Sequence, residues 1–302
     1  MTNQLEALKK KYPDEVLINE KLSNYSWFNV GGPAEIFYRP RDKEQLSTFL
    51  KTIKKDFRKV NIIGAGSNTL IRDGGLKGIT IKLSSKFSFT KLLDDSTIQT
   101  GAGTFDKIVS NFATEKGISG FEFLSCIPGS VGGAIRMNSG CYGDEIVKIL
   151  TSIDVMDLEG NISKIEADKI KFSYRGSDLP EDLIILSAEF KGSLSTAEEV
   201  KKKQIELIEK KKKSQPSQIK TGGSTFKNPI NKKAWALIKE SNCDKLSFGQ
   251  AQMSKKHCNF VVNNGNATAE EIEKLIKKVK SDVFIKTGIN LELEIQVIGN
   301  NK

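Results

Sequence analysis

The sequence lacks the features of a membrane protein and of a disulfide-rich protein. No run of about 18 apolar residues is present, so the sequence predicts no membrane-spanning helix. Its first residues, MTNQLE, do not show the charged-then-apolar pattern of a secretory signal peptide. Only four cysteines are present, and no two of them form a C-x-x-C pair. We therefore expect free thiols in a reducing cytoplasm and no metal site.

Arginine and histidine are also scarce. Only six of the 47 basic residues are arginines, and the single histidine is His257. Arginine carries a planar, permanently charged fork that recognises anions, so its rare positions are candidates for binding. Three of the six, Arg72, Arg136 and Arg175, lie within or beside the motifs described below.

The composition is that of a folded protein with a positive net charge. A chain of 302 residues with 38% hydrophobic and 28% charged residues can form two domains with real cores. The net charge of +10 comes mostly from lysine, partly in runs at 201–203 and 210–213, which are typical of a solvated helix face. Because no aromatic residues alternate with these lysines, we expect no nucleic-acid partner. A basic nucleotide- or RNA-binding protein is an alternative supported by the charge alone.

The first 190 residues mix short strands with helices. Apolar runs of strand length occur at 34–38, 60–63, 78–83, 98–101, 153–157 and 183–190. Helical spacing is found at 42–57 and 105–116. Because the spacings are short and irregular, the pattern favours an α+β fold over regular βαβ alternation.

A domain boundary is predicted near residue 195. A helix follows with Val200, Ile205 and Ile208 facing inward, and it ends before Pro216. We therefore divide the chain into a cofactor-binding region, residues 1–195, and a C-terminal substrate-binding domain, residues 196–302.

The end of the chain predicts one helix and one strand. Thr268 and Glu271 form a capping box for a helix that Gly288 ends. Residues 291–297 alternate like a strand with one buried face, which places Glu292 and Glu294 together on the other, solvent-facing side.

A glycine-rich turn follows the apolar run 60–63. It reads Gly64-Ala65-Gly66-Ser67-Asn68. Gly64 and Gly66 can adopt positive φ and turn their N–H groups toward an anion, which is typical of a diphosphate site. Because Thr69 stands where the third glycine of G-x-G-x-x-G would be, the segment does not predict an ordinary Rossmann unit. A tight turn without a ligand is the alternative.

A second glycine-rich segment contains Gly129, Ser130, Gly132 and Gly133. Glycine costs roughly 1 kcal/mol at an ordered position, so this density indicates close approach of a ligand. A crossing of two backbones is the alternative.

A third segment places Ser224 after two glycines, with Lys227 and Asn228 beside it. Its hydroxyl could act as a nucleophile, a phosphate ligand or a proton donor. No G-x-S-x-G elbow surrounds Ser224, so a hydrolase triad is poorly supported. We expect the single histidine, His257, to order its own loop rather than transfer protons.

Taken together and in order, these segments resemble one family, the bacterial UDP-N-acetylenolpyruvoylglucosamine reductases. The matching segments are 24–34, 64–68, 120–133, 174–177, 223–229 and 291–299. The short link from Arg175 to Leu183 resembles the subclass without an inserted substrate-covering loop. The resemblance implies an FAD-binding module of the vanillyl-alcohol-oxidase type and a C-terminal α+β domain.

What the resemblance implies for chemistry is a reduction in two halves. NADPH reduces the bound FAD, and the enolpyruvyl ether of a UDP-sugar is then reduced in peptidoglycan precursor synthesis. The implied FAD contacts are Gly64, Ala65, Gly66, Ser67, Asn68, Gly129, Ser130, Gly132 and Gly133.

The resemblance also implies roles for five polar residues. Arg175 and a protonated Glu294 would stabilise the charge that develops on the substrate carboxylate, and Ser224 would donate the proton. Lys227 and Asn228 would contact the substrate. The residue pattern alone does not choose Glu294 over Glu292. We expect a cytoplasmic monomer; a flavin oxidase acting on an alcohol or sugar is the competing enzyme.

Overall fold

The computed structural model describes residues 2–53, 59–83 and 85–302. The helices are α1 (Thr2–Lys11), α2 (Lys43–Ile53), α3 (Asp106–Glu115), α4 (Val131–Arg136), α5 (Ala197–Ser214), α6 (Ala234–Glu240) and α7 (Ala269–Thr287). The strands are β1 (Val16–Lys21), β2 (Pro33–Tyr38), β3 (Val60–Ile63), β4 (Thr69–Ile71), β5 (Leu76–Lys82), β6 (Thr90–Leu92), β7 (Thr97–Gly101), β8 (Ile118–Ser119), β9 (Gly140–Cys141), β10 (Asp144–Glu145), β11 (Leu150–Met156), β12 (Ile162–Glu166), β13 (Phe172–Ser173), β14 (Gly176–Ser177), β15 (Ile184–Lys191), β16 (Ser193–Leu194), β17 (Lys220–Thr221), β18 (Ser247–Phe248), β19 (Ala251–Met253), β20 (Val261–Asn263) and β21 (Gln296–Ile298).

The chain divides into two compact units, each built from several segments. Unit 1 comprises Met1–Ile18, Ile36–Ala65 and Gly78–Lys211. Unit 2 comprises Asn19–Glu35, Gly66–Lys77 and Lys212–Lys302.

Unit 1 contains a five-stranded antiparallel sheet of order β12-β11-β15-β7-β6. A second sheet has the order β1-β2-β5-β3, in which β3 and β5 run parallel. Apolar side chains fill two clusters, one around Phe121 and Phe190 and one in which the Tyr38 and Phe49 rings stack. Burial of each such aromatic contributes about 1.5–3 kcal/mol, so these clusters hold the sheets together.

Unit 2 contains a four-stranded antiparallel sheet of order β17-β20-β19-β18, against which α7 packs. The Thr268–Glu271 capping box is confirmed, and Gly288 ends α7 in the left-handed conformation with φ 70°. The apolar stripe of α7 is buried in one core with Phe28, Leu70 and Phe226. Strands β4 and β21 pair in parallel elsewhere in the unit.

The strand predictions for the first 190 residues are confirmed by β2, β3, β5, β7, β11 and β15. The helix predicted over 42–57 corresponds to α2, and residues 54–57 lie outside the described residues. None of the helices in the described ranges combines the length and the apolar character needed to span a bilayer.

Two local predictions were wrong. Ile205 of α5 is 44% exposed, and Gln204 is buried in its place. Its side-chain amide donates to Ser110 Oγ and Asn111 Oδ1 of α3, both at 3.0 Å, so α5 docks through hydrogen bonds that hydrophobic spacing cannot reveal. Residues 291–297 are not one strand, because β21 begins only at Gln296 and an isolated bridge joins Leu293 to Phe226.

Candidate active site

The first and second glycine segments meet in unit 1. Strand β3 ends at Ile63, and a Cβ added to Gly64 would lie 2.9 Å from Ser130 Oγ. The expectation that Gly64 adopts a positive φ was wrong, because it is not among the residues with positive φ. A side chain there would displace the Ser130 hydroxyl, so the two segments approach each other closely at this point.

Gly66 adopts the predicted left-handed conformation, with φ 68°. This residue belongs to unit 2, where a Cβ would lie 1.9 Å from the carbonyl oxygen of Tyr25. No side chain fits that distance, so the backbone turn at Gly66 requires glycine. Two residues later, the Asn68 side-chain amide donates to the carbonyl of Glu294 at 2.9 Å.

The second segment forms the start of α4. The N–H of Gly132 donates to Ala102 O at 2.9 Å, and a Cβ there would lie 3.2 Å from Ala102 Cβ. A backbone crossing therefore accounts for Gly132. It does not account for Gly133, where an added Cβ would meet only Ser130 Oγ, at 3.8 Å. The open face at Gly133 is the part of this segment that suits a ligand.

Sequence reasoning missed one cation at this place, Lys82. It stands at the end of β5, paired with Ile63 of β3, and its ammonium donates to Gly64 O at 2.6 Å. Burial, with a smaller contribution from Arg39, lowers the pKa of Lys82. A lysine inside the apolar run 78–83 was the signal that could have revealed it.

Arg175 occupies a two-residue turn between β13 and β14. Its φ is 59°, a conformation that costs a residue with a side chain about 1–2 kcal/mol. Its guanidinium donates from Nη2 to Gly140 O at 2.8 Å and lies 4.9 Å from the Tyr174 ring centroid.

The turn that bears Arg175 is attached to the end of α4. Ser177 Oγ donates to Arg136 O at 3.0 Å, and Asn138 Nδ2 donates to Ser173 O at 3.1 Å. Asn138 is itself buried, with φ 40°. Helix α4 therefore connects the open face at Gly133 with the Arg175 turn.

The third segment pairs with the end of the chain in unit 2. Glu294 N donates to Thr225 O, and Lys227 N donates to Glu292 O, both at 2.9 Å. Ser224 directly precedes this short ladder, and its side chain is half-buried. Glu294 is also half-buried, whereas Glu292 is 76% exposed, so the expectation that both glutamates face solvent alike was wrong.

An asparagine clamp supports this ladder. Asn259 Oδ1 accepts from Phe226 N at 3.1 Å, and its Nδ2 donates to Phe226 O at 2.8 Å. His257 Nδ1 in turn accepts from Asn259 N at 3.3 Å, and burial lowers the pKa of this histidine. His257 thus orders its own loop, as the sequence predicted.

Lys227 and Asn228 both have protein partners. Lys227 Nζ lies 3.8 Å from Glu292 Oε2, and Asn228 Oδ1 accepts from Ala234 N at 3.0 Å, at the start of α6. The Asn228 side chain therefore has a structural contact in addition to any ligand contact.

The site residues fall into two groups, each inside one unit. Unit 1 brings together Gly64, Ser130, Gly133 and the Arg175 turn. Unit 2 brings together Asn68, Ser224, Lys227 and Glu294. In the described residues, no cluster of histidine, cysteine or acidic side chains could hold a metal ion.

The donor set of unit 1 suits an anionic cofactor with a flat or extended body. A lysine lies beside Gly64, and no Cβ fills the space over Gly133. Helix α4 has only six residues, so the open backbone rather than the helix dipole is the relevant feature. These residues therefore fit FAD.

Two family models match the chain. Residues 34–166 match the FAD binding domain, and residues 215–298 match the UDP-N-acetylenolpyruvoylglucosamine reductase, C-terminal domain.

Curated relatives are similar over nearly the whole length. The chain is 45% identical over 298 residues to the UDP-N-acetylenolpyruvoylglucosamine reductase of Pelagibacter ubique, covering 98% of each chain. It is 44% identical over 282 residues to that of Wolbachia pipientis, covering 93% of this chain and 95% of the relative. The crystal structure of UDP-N-acetylenolpyruvylglucosamine reductase from Thermus caldophilus superposes with a TM-score of 0.82 at 30% identity, covering 94% of this chain and 98% of that one.

Proposed function

The chain belongs to the UDP-N-acetylenolpyruvoylglucosamine reductases, FAD- and NADPH-dependent enzymes of peptidoglycan precursor synthesis, and from this premise we propose how its own residues divide the reaction. The substrate is a UDP-sugar that carries an enolpyruvyl ether. Hydride adds to the terminal vinyl carbon, and a proton adds to the carbon that bears the carboxylate.

FAD is held by the two glycine segments of the N-terminal region, residues 1–195. The contacts are Gly64, Ala65, Gly66, Ser67, Asn68, Gly129, Ser130, Gly132 and Gly133. When bound, FAD supplies the hydride, which originates from NADPH. The open face at Gly133 and the ammonium of Lys82 support this placement, because a flat ring needs a surface without Cβ atoms and a diphosphate needs positive charge.

Arg175 stabilises the negative charge that develops on the substrate carboxylate. Its guanidinium is half-buried and fixed by Gly140 O and the Tyr174 ring, so it needs little reorganisation when that charge appears. Removal of such a preorganised donor costs on the order of 10²–10³ in rate.

Glu294 supplies a second hydrogen bond to the same carboxylate. A protonated glutamic acid can donate where a carboxylate cannot. Its N–H donates to Thr225 O and its carbonyl accepts from the Asn68 side-chain amide, which fixes its main chain. Its half-buried position distinguishes it from the exposed Glu292.

Ser224 delivers the proton to the carbon that bears the carboxylate. Lys227 and Asn228 contact the UDP-sugar, and these residues belong to the substrate-binding domain, residues 196–302. The observation that carries this assignment is the ladder between Thr225–Lys227 and Glu292–Glu294, because it attaches the segment after Ser224 to Glu294. We also propose a cytoplasmic monomer without a nucleic-acid partner.

The test separates the two half-reactions of the flavin-loaded protein. Wild type is expected to be yellow, with an absorbance band at about 450 nm that NADPH bleaches and that the UDP-sugar restores. Ser224→Ala should retain bleaching by NADPH but slow substrate reduction by about 10²–10⁴. Ser217→Ala, at an exposed serine of the same unit, is the matched control and should behave as wild type.

Two outcomes contradict the proposal. If Ser224→Ala reduces substrate at the wild-type rate, Ser224 is not the proton donor. If an alcohol or a sugar reduces the flavin, oxygen reoxidises it and NADPH does not reduce it, the protein is the competing flavin oxidase.

A further inference from the structure

Two cysteines of unit 1, Cys126 and Cys141, lie together although 14 residues separate them in the sequence. Cys126 ends a 3₁₀ helix, Glu122–Cys126, which contacts β9. Cys141 is the second residue of β9, and its Sγ lies 3.3 Å from Phe123 O of that 3₁₀ helix. The Cys141 side chain also interacts with that of Cys126, so the two thiol groups face the same place. Both are free thiols.

The surroundings of this pair are polar and positively charged. Ser125 Oγ lies 3.8 Å from Cys126 Sγ. At the end of α5, Lys211 Nζ donates to Cys126 O at 2.6 Å, and Lys210 Nζ lies 4.7 Å from the Tyr142 ring centroid. Hydrogen bonds from Cys141 and Ser125, with the charge of Lys211, lower the pKa of Cys126 to about 6 despite burial. Cys126 is therefore the thiol of the pair that ionises more readily, and the thiolate is the form that reacts with oxidants.

The pair also adjoins both functional segments of unit 1. Cys126 is followed directly by the segment 127–133. Cys141 follows Gly140, whose carbonyl accepts the hydrogen bond from Arg175 Nη2. A change in the bonding of these two sulfur atoms therefore acts on the backbone group that positions Arg175.

We propose that Cys126 and Cys141 form an oxidant-sensitive dithiol, which a peroxide converts to an intramolecular disulfide that moves the Gly140 carbonyl and misplaces Arg175. The effect on catalysis rests on the proposed role of Arg175, whereas formation of the disulfide does not.

The chemistry balances with hydrogen peroxide as the oxidant. The Cys126 thiolate attacks one peroxide oxygen and the O–O bond breaks, which gives the sulfenic acid and a hydroxide ion. The proton released when the Cys126 thiol ionised converts this hydroxide to the first water. The Cys141 sulfur then attacks the sulfenic sulfur, the S–O bond breaks, and a second water leaves with the thiol proton. The two thiols lose two electrons and peroxide gains them. A small dithiol reverses the reaction by exchange.

The first measurement detects the disulfide itself. The FAD-loaded protein is treated with hydrogen peroxide, its remaining thiols are alkylated, and the intact mass and peptides are measured. We expect a loss of two hydrogens and one cross-linked peptide pair that contains Cys126 and Cys141. The Cys243→Ser/Cys258→Ser double variant should give the same result, whereas Cys126→Ser should give none. Cys141→Ala should stop at a sulfenic acid on Cys126, which dimedone traps, so this variant stays informative if Cys126→Ser folds poorly.

The second measurement compares the half-reactions before and after oxidation. Flavin bleaching by NADPH should persist, while substrate reduction slows at least about tenfold, since complete loss of a charge-stabilising donor costs about 10²–10³. Dithiothreitol should restore the rate. Alkylation of both cysteines after peroxide treatment, or their overoxidation without a cross-link, overturns the dithiol site. A disulfide that leaves substrate reduction unchanged overturns its coupling to Arg175. If Arg175→Ala reduces substrate normally, the proposed role of Arg175 fails instead, and the mass result still decides the dithiol.

Discussion

The side-chain amide of Asn68 donates a 2.9 Å hydrogen bond to the carbonyl of Glu294, a residue 226 positions later in the chain. The carbonyl of Asn68 in turn accepts from Gln296 N at 2.8 Å. The end of the first glycine segment thus positions the backbone of the proposed catalytic acid. Asn68 therefore belongs to the proposed cofactor-binding segment and also supports the proposed substrate-binding segment.

We expect Asn68→Ala to lower the free energy of unfolding by about 0.5–1.5 kcal/mol, the usual contribution of one hydrogen bond. Because Glu294 loses part of its support, substrate reduction should slow more than flavin reduction by NADPH. Denaturant unfolding and separate half-reaction rates measure both effects. Asn266→Ala, at an exposed asparagine of the same unit, is the control, and equal stabilities of the two variants would falsify the contribution of this contact.

Gly133 and Gly132 should respond differently to alanine. In Gly133→Ala the methyl group enters open space within a helix, so the apoprotein should gain about 0.5–1 kcal/mol in stability. The same methyl occupies the proposed cofactor face, and each 1.4 kcal/mol of steric cost weakens FAD binding about tenfold. Gly132→Ala places its methyl group 3.2 Å from Ala102 Cβ, so crowding offsets the gain in helix propensity and this apoprotein should be less stable than that of Gly133→Ala. FAD titration and thermal unfolding of both apoproteins test this; unchanged FAD affinity in Gly133→Ala contradicts the placement.

Arg175→Gly and Arg175→Ala remove the same guanidinium but differ in backbone strain. Glycine adopts φ 59° readily and alanine does not, so the glycine variant should be more stable by about 1 kcal/mol. Both should slow substrate reduction by about 10²–10³ and leave flavin reduction by NADPH intact. Chemical denaturation gives the stability difference. Equal stabilities would show that the turn relaxes without cost, and normal turnover in both variants would exclude Arg175 from catalysis.

Asp106, at the start of α3, predicts a dependence of stability on pH. Neither carboxyl oxygen has a hydrogen-bond partner within the described residues, and burial raises the pKa well above its ordinary value of 3.8. The helix dipole favours the ionised form by only about 0.3–1 kcal/mol, less than the cost of burying an unpaired charge. The folded state therefore binds this proton more tightly than the unfolded state does.

The direction in which stability changes with pH follows from that difference. The stability that the protonated Asp106 contributes is complete below pH 3.8 and is lost as the pH rises toward the folded-state pKa. Over that interval the loss reaches about 1.4 kcal/mol per pH unit. Asp106→Asn carries no titrating proton, so its stability relative to wild type should rise with pH. Urea unfolding of both proteins from pH 4 to 7 measures the difference, and parallel curves would contradict the assignment.

Much of the secondary structure could be predicted from the sequence because it depends on local rules. Alternating or continuous apolar runs predicted six strands of the first 191 residues, and the Thr268–Glu271 box with Gly288 predicted both ends of α7. Hydrophobic spacing placed Val200 of α5 inward correctly but failed at Ile205. Gln204 is buried instead, and its partners Ser110 and Asn111 are distant in sequence. Hydrophobic spacing failed again at 291–297, because the partner of Leu293 is Phe226 in another segment.

The sequence by itself determined the family and the strand-and-turn pattern, since each is expressed in short ordered motifs. Tertiary structure decided at which glycine an added Cβ would be crowded and at which it would meet open space, as Gly132 and Gly133 show. It also decided that Glu294 is half-buried while Glu292 is exposed, and that Cys126 and Cys141 are neighbours. Burial and contact between distant segments depend on how the whole chain folds back on itself, and no local pattern contains that information.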